Sequence, residues 1–270
     1  RAEALAADAL EAMARAAGAG TASAPQRITV AVPAYWGPGT VGALRGALRS
    51  RPALLVGGAP PDLISDAATA LVALQTGPGL PAAGVVALCD FGGNGTTLAL
   101  ADASAGLRPI GEVVRYSDLS GEQIDQAILN HVLAGLADAG GADPAGTAAV
   151  GSLTRLRGEC RAAKERLSAE TSTVIPVALP GTTSDVRFTR PELDGLLAAP
   201  LAGFLDALGD LLERNRIPAS ALSAVATVGG GAAIPLITQR LSEELRVPIL
   251  TLPQPALAAG GRNRLEIARL

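Results

Sequence analysis

Histidine occurs once and cysteine twice in these 270 residues. That supply cannot furnish the four clustered nitrogen and sulfur ligands of a structural zinc site. With His131 alone and no G-x-S-x-G segment, a hydrolase triad is set aside as well. Aromatic residues make up only 2%, so the core implied by a 49% hydrophobic composition must be packed from Ala, Val, Leu and Ile. Lys and Arg number 22 against 25 Asp and Glu, a net charge of −3. No basic field exists to attract nucleic acid or an anionic membrane surface. No unbroken apolar run reaches ~18 residues, the length expected of a transmembrane helix. The first residues alternate Ala with Glu, Asp and Arg and do not read as a signal peptide. Cys89 falls in an apolar strand pattern and Cys160 in a helical one, so both are expected as buried free thiols in a reducing, cytoplasmic setting.

What is present is a chain long enough for a large core, with strand and helix patterns in alternation. Residues 1–17 read as an amphipathic helix with Leu5, Leu10 and Met13 on one side, and 27–32 as a strand stopped by Pro33. Residues 41–48 read as a helix, 54–56 as a short strand before Gly57 and Gly58, and 62–75 as one Ala-rich helix. Strands follow at 85–90, 96–101 and 113–116, then helices over 120–136, with Ser120 as N-cap, and over 152–168. Strands at 174–179 and 186–188 lead to Thr189-Arg190-Pro191-Glu192, a capping-box start for a helix running to about Arg214. A strand over 221–228, a helix over 233–245 and a helix in the last ten residues complete an α/β chain.

Two strand-then-glycine turns stand out. The first runs from Val85 through Asp90, Gly92, Gly93, Asn94 and Gly95 to Thr96; the second is Gly229-Gly230-Gly231 after Val228. Glycine lets the backbone turn tightly and brings N–H groups close to phosphate oxygens. Two such turns facing each other could hold a phosphorylated ligand, with Asp90 placed to organise a metal ion or a water. The bland alternative is a ligand-free hairpin turn. A dinucleotide fingerprint is the other option, but its third glycine is missing.

Six segments in order then resemble the DnaK-type, seventy-kilodalton heat-shock chaperones of the actin/hexokinase ATPase superfamily. Residues 28–36 (ITVAVPAYW) are similar to that family's strand ending in V-P-A-Y/F, and 63–70 (LISDAATA) to its I-N-E-P-T-A-A. Residues 90–96 (DFGGNGT) resemble D-x-G-G-G-T with one residue more, and 160–168 (CRAAKERLS) resemble E-x-A-K-x-x-L-S. Residues 188–190 (FTR) and 228–235 (VGGGAAIP) are similar to I-T-R and V-G-G-x-x-R-I-P.

The resemblance implies a two-lobed, ribonuclease-H-like, actin-type ATPase fold. Residues 1–82 would be the remainder of the first lobe, and 83–118 with 189–252 the core of the second. Residues 119–188 would be a subdomain inserted in the second lobe, and 253–270 a helix returning to the first. It implies ATP or ADP with Mg²⁺: Asp90 holding the metal through water, Gly92, Gly93, Asn94, Gly95 and Thr96 around the outer phosphates, and Gly229, Gly230 and Gly231 at the ribose and α-phosphate. Lys164 and Ser168, four apart on a helix, match ribose and adenine contacts, and Asp66 matches the acid that orients the attacking water. Either could instead be an ordinary surface residue.

Departures limit the transfer. Asp66 is one methylene shorter than the family's glutamate, and Ala67 replaces its proline. Arg161 stands where the family has an acid, and Glu165 and Ala233 stand where it has adenine-stacking arginines. The chain opens after the family's D-L-G-T-T loop and catalytic lysine and closes near its last nucleotide-domain helix, so the incomplete first lobe and the lack of a peptide-binding domain read as truncation. The expectations are weak ATP binding, negligible hydrolysis and a homodimer or repacked first helix covering the uncovered sheet. The alternative is a nucleotide-independent scaffold. A peptide-binding domain or co-chaperone would belong to the parent.

Overall fold

A computed structural model describes residues 2–18, 25–76, 79–138 and 147–252. Helix α1 spans Ala2–Gly18, strand β1 Thr29–Val32, helix α2 Pro38–Arg49, strand β2 Asp62–Ser65 and helix α3 Asp66–Thr76. β1 and β2 pair in parallel, Thr29 opposite Asp62 and Val32 opposite Ser65. The strand period of two turns Val30 and Val32 inward, where they meet Ala7 and Leu10 of α1, Leu44 and Leu48 of α2, and Leu54.

Three sequence expectations fail in this region. Residues 62–65 are a strand, not the start of a helix, because β1 supplies a partner that local pattern does not reveal. Residues 52–54 form a 3-10 turn, and Val56 pairs only with Ala59 around Gly57 and Gly58, both at positive φ (59° and 83°). On α1 the buried positions are Ala7 and Leu10, whereas Leu5 is 69% and Met13 37% exposed. Alanine, which allows close approach to α2, outranks the larger side chains.

The main sheet begins with β3 (Val85–Phe91), β4 (Thr96–Asp102) and β5 (Arg108–Tyr116), an antiparallel meander whose last strand is longer than expected. Helices α4 (Gly121–Asp138) and α5 (Thr147–Leu167) follow, then the hairpin β6 (Ser172–Leu179) and β7 (Thr182–Thr189), and helix α6 (Arg190–Arg214). β8 (Leu222–Val228), α7 (Pro235–Leu245) and β9 (Ile249–Thr251) complete the described elements. The strand order is β5-β4-β3-β8-β9, with β8 parallel to β3 and β9 parallel to β8. The helix expected in the last ten residues, and the returning segment 253–270, lie outside the described residues.

Alternation along the strands divides the core by face. Ala87, Cys89, Phe91, Leu98 and Leu100 join α4, α6 and α7 on one side. Val86, Leu88, Ala99, Ala101, Ala226 and Val228 meet Ala70, Leu71 and Leu74 of α3 on the other. Three of the six aromatics cluster in this core: Phe91 and Phe204 ring centroids are 5.0 Å apart, and Tyr116 lies edge-on to Phe204 at 6.0 Å.

By length and composition alone α6 could cross a membrane. Leu193, Leu197, Leu201, Phe204, Leu208, Leu211 and Leu212 are instead buried in the core, each worth roughly 1.5–3 kcal/mol of burial. The helix starts as its sequence dictates: Thr189 N–H donates to Glu192 Oε2 at 2.8 Å, closing the capping box.

Candidate functional site

Parallel strands end on the same edge of a sheet, so the turns that follow β3 and β8 are neighbours. Asp90 on β3 is paired with Val228 on β8, and Gly229 comes next. Gly229 has φ 85°, and a Cβ there would lie 2.4 Å from the Phe91 carbonyl oxygen and 2.5 Å from Asp90 Oδ1. A Cβ on Gly231 would come within 2.8 Å of Phe91 Cβ. The second turn can sit against the first only because these positions lack side chains. Gly230 faces open space.

In the first turn Gly92 N–H donates to the Gly95 carbonyl at 3.1 Å. Its outward carbonyls are taken by the start of α4: Gly121 N–H donates to Gly92 O at 3.0 Å and Glu122 N–H to Gly93 O at 2.8 Å. Ser120 Oγ accepts from Gln123 N–H at 3.2 Å, the N-cap expected from sequence. The N–H groups of Gly93, Asn94 and Gly95 meet no acceptor among the described residues. Carbonyls engaged and amides open is the polarity of an anion cradle.

Thr96 differs from its neighbours in the turn. It is fully buried, and its hydroxyl donates to the Leu119 carbonyl at 2.6 Å, fastening β4 to the segment before α4 and turning away from the cradle.

Lys164, the chain's one lysine, is brought to the underside of the turn. A Cβ on Gly121 would lie 3.2 Å from Gly93 Cα and 3.3 Å from Lys164 Nζ. The ammonium is engaged, donating to the Gly121 carbonyl at 3.0 Å and pairing with Asp125 Oδ1 at 2.6 Å. Ser168, one helical turn on, directs its hydroxyl to the Lys164 carbonyl at 3.5 Å. Arg161 and Glu165 form an exposed i,i+4 pair at 3.1 Å, a solvated helix face. Asp66 stands in the first turn of α3, where the helix dipole favours an acid, and its Oδ1 accepts from Ala34 N–H at 2.9 Å. It therefore ties α3 to the turn after β1.

Sequence reasoning passed over Arg115. On β5 it is paired with Thr97 of β4, and its side chain reaches back over the glycine turn. Its guanidinium donates to Asn94 Oδ1 at 3.1 Å and to Thr97 Oγ1 at 3.4 Å, and Cζ lies 4.3 Å from the centre of the Tyr35 ring. A Cβ on Gly95 would be 2.7 Å from that Cζ. The only signal for it in the sequence is the register of the β4–β5 hairpin.

The remaining reactive groups are quiet. Burial, with the Asp90 charge adding to it, pushes the Cys89 thiol far up, and burial pushes Cys160 up to about 11. Both are free and buried, as expected. His131 packs on Phe188 at 5.5 Å with Nε2 3.8 Å from Glu192 Oε1, a core-edge position. Among the described residues no group of three or more His, Cys, Asp or Glu could hold a metal ion directly.

A family model described as Hsp70 protein matches residues 1–255. Among curated proteins, a heat shock cognate HSP70 protein of Trypanosoma brucei brucei is 29% identical over 166 residues, 60% of this chain and 24% of that protein. A ribosome-associated molecular chaperone of Zygosaccharomyces rouxii is 27% identical over 160 residues, 58% of this chain and 26% of its own length. A ribosome-associated molecular chaperone of Saccharomyces cerevisiae is 28% identical over the same length and shares. The chain spans about a quarter of the length of these relatives.

Proposed function

The chain belongs to the Hsp70 protein family, and on that premise we propose that it forms most of a nucleotide-binding domain which takes ATP or ADP at its two glycine turns. Family membership brings the actin-like ATPase fold, in keeping with the mixed sheets and their covering helices. The observation that carries the reading is the adjacency of the two turns, with the Gly93, Asn94 and Gly95 amides open. In this reading Gly92 to Gly95 take the outer phosphates, with Thr96 supporting them from behind. Gly229, Gly230 and Gly231 take the ribose and α-phosphate. Asp90 suits an outer-sphere role toward Mg²⁺ through water, since the donors nearby do not form a direct ligand set. Bound Mg²⁺ would supply charge neutralisation at the transferring phosphate. Asp66 orients the attacking water.

Binding is weak and hydrolysis negligible in this proposal, for reasons internal to the site. The Lys164 ammonium is held by Asp125 and Gly121, not left for a ribose. Glu165 and Ala233 supply no guanidinium face to adenine, each absence worth about 1 kcal/mol. Asp66 is short and already bonded to Ala34. The same observations favour a second reading, a nucleotide-independent scaffold or interaction module. The lobe and subdomain limits set out from sequence belong to the proposal, as do a cytoplasmic setting, a peptide-binding or co-chaperone partner and association of two copies through the first sheet.

Calorimetric titration with Mg·ATP and Mg·ADP decides between the readings. Saturable binding weaker than micromolar, abolished by Asp90→Ala, is the expected result. Micromolar affinity overturns the weak-binding claim. No saturation and no change in melting temperature at millimolar nucleotide overturns the nucleotide reading and leaves the scaffold.

A further inference from the structure

Arg115 is, among the described residues, a cation with only neutral partners. Among the described residues it makes no ion pair; an amide oxygen, a hydroxyl and an aromatic ring hold it. The other cation described at the first turn, Lys164, is neutralised by Asp125 at 2.6 Å. The guanidinium stacks against Gly95 so closely that a methyl group there would collide with it. It therefore lies against Asn94 and Gly95, whose backbone N–H groups, like that of Gly93, have no acceptor among the described residues.

We propose that Arg115 is a phosphate-contacting residue of the first glycine turn, the guanidinium donating to an outer phosphate of the ligand together with the Gly93, Asn94 and Gly95 amides. The inference rests on the nucleotide reading above. Its physical basis is the fork: five N–H donors, of which Asn94 and Thr97 take two, leave donors for phosphate oxygens. Tyr35 and Asn94 hold the long side chain in position beforehand, which lowers the entropy cost of ordering it on binding. The ligand class that follows is one carrying a terminal di- or triphosphate, since a bare nucleoside offers the fork nothing.

The test compares wild type, Arg115→Gln and Arg115→Lys for binding of ATP, inorganic tripolyphosphate and adenosine, with thermal melts to establish folding. Arg115→Gln keeps a polar group of similar reach and removes the charge. Expected is a loss of at least about tenfold for ATP and tripolyphosphate, with adenosine affinity unchanged. Arg115→Lys should lose less and retain the steep salt dependence that Arg115→Gln lacks. Equal loss for all three ligands assigns Arg115 a purely structural role and overturns the proposal. Unchanged or tighter ATP binding by Arg115→Gln overturns it too, leaving the nucleotide reading intact. A wild type that binds neither ATP nor tripolyphosphate defeats the nucleotide reading and this inference with it. If Arg115→Gln fails to fold, Arg115→Lys decides by the same ratio of tripolyphosphate to adenosine affinity.

Discussion

Lys164 Nζ lies 2.6 Å from Asp125 Oδ1, with the two side chains only 13% and 10% exposed. The pair joins α5 to α4 near its start, and the first residues of α4 in turn hold the carbonyls of the glycine turn. A residue expected to face a ribose thus supports the cradle from beneath.

Removing one member of that pair should be costly. Lys164→Met leaves the Asp125 carboxylate largely buried and uncompensated, an expected loss of about 3 kcal/mol. The double change Lys164→Met, Asp125→Leu should recover most of it. Urea unfolding of the two single variants and the double variant measures both; a single variant within error of wild type would defeat the assignment.

The second glycine turn offers a contrast within two residues. Gly229→Ala puts a Cβ 2.4 Å from the Phe91 carbonyl at φ 85°, so a loss of roughly 2 kcal/mol or more is expected from strain and displacement of β3. Gly230→Ala enters open space and should stay within about 0.5 kcal/mol. Melting curves of the two variants, recorded in parallel, check the pair.

The α6 start should make stability depend on pH in two opposite senses. The Thr189 hydroxyl, foremost, holds the Glu192 carboxyl below its usual range. A lowered acid contributes stability that is present above its unfolded value, ordinarily about 4.3, and lost as pH falls through the lowered folded value. Glu192→Ala should therefore cost about 1 kcal/mol at neutral pH and nothing in strong acid. Asp194 runs the other way: burial raises its carboxyl against the opposing Arg190 charge, and Oδ1 is buried without a hydrogen bond among the described residues. Its contribution is present below the unfolded value and lost as pH rises through the folded one, so Asp194→Asn should raise the melting temperature at pH 7 and leave it unchanged at low pH.

What the sequence discloses follows from how local the cause is. The β3–β4 hairpin, the Ser120 cap and the Thr189–Glu192 box each depend on residues a few positions apart, and each is found as read. Residues 62–65 depend on β1, far back in the chain, and are misread as helix. On α1 the choice of Ala7 over Leu5 depends on how close α2 comes, which no hydropathy pattern records. The site divides the same way. Glycines in a strand-ending turn are visible at once, and so are Lys164 and Ser168 at helical spacing. That Lys164 has a carboxylate waiting on another helix, that Thr96 points inward, and that Arg115 crosses the turn are outcomes of packing.

The parallel pairing of β3 with β8 has a consequence for the order of assembly. β3, β4 and β5 can fold on one another as soon as they leave the ribosome, since each contacts its neighbour in the chain. β3 cannot acquire its other partner until Leu222 arrives to meet Val85. Until then Val86 and Leu88 lie on an open strand edge, a template for pairing with another nascent chain. The chain would pass through a stage in which that edge needs protection. Both glycine turns would come into register only when that stage ends.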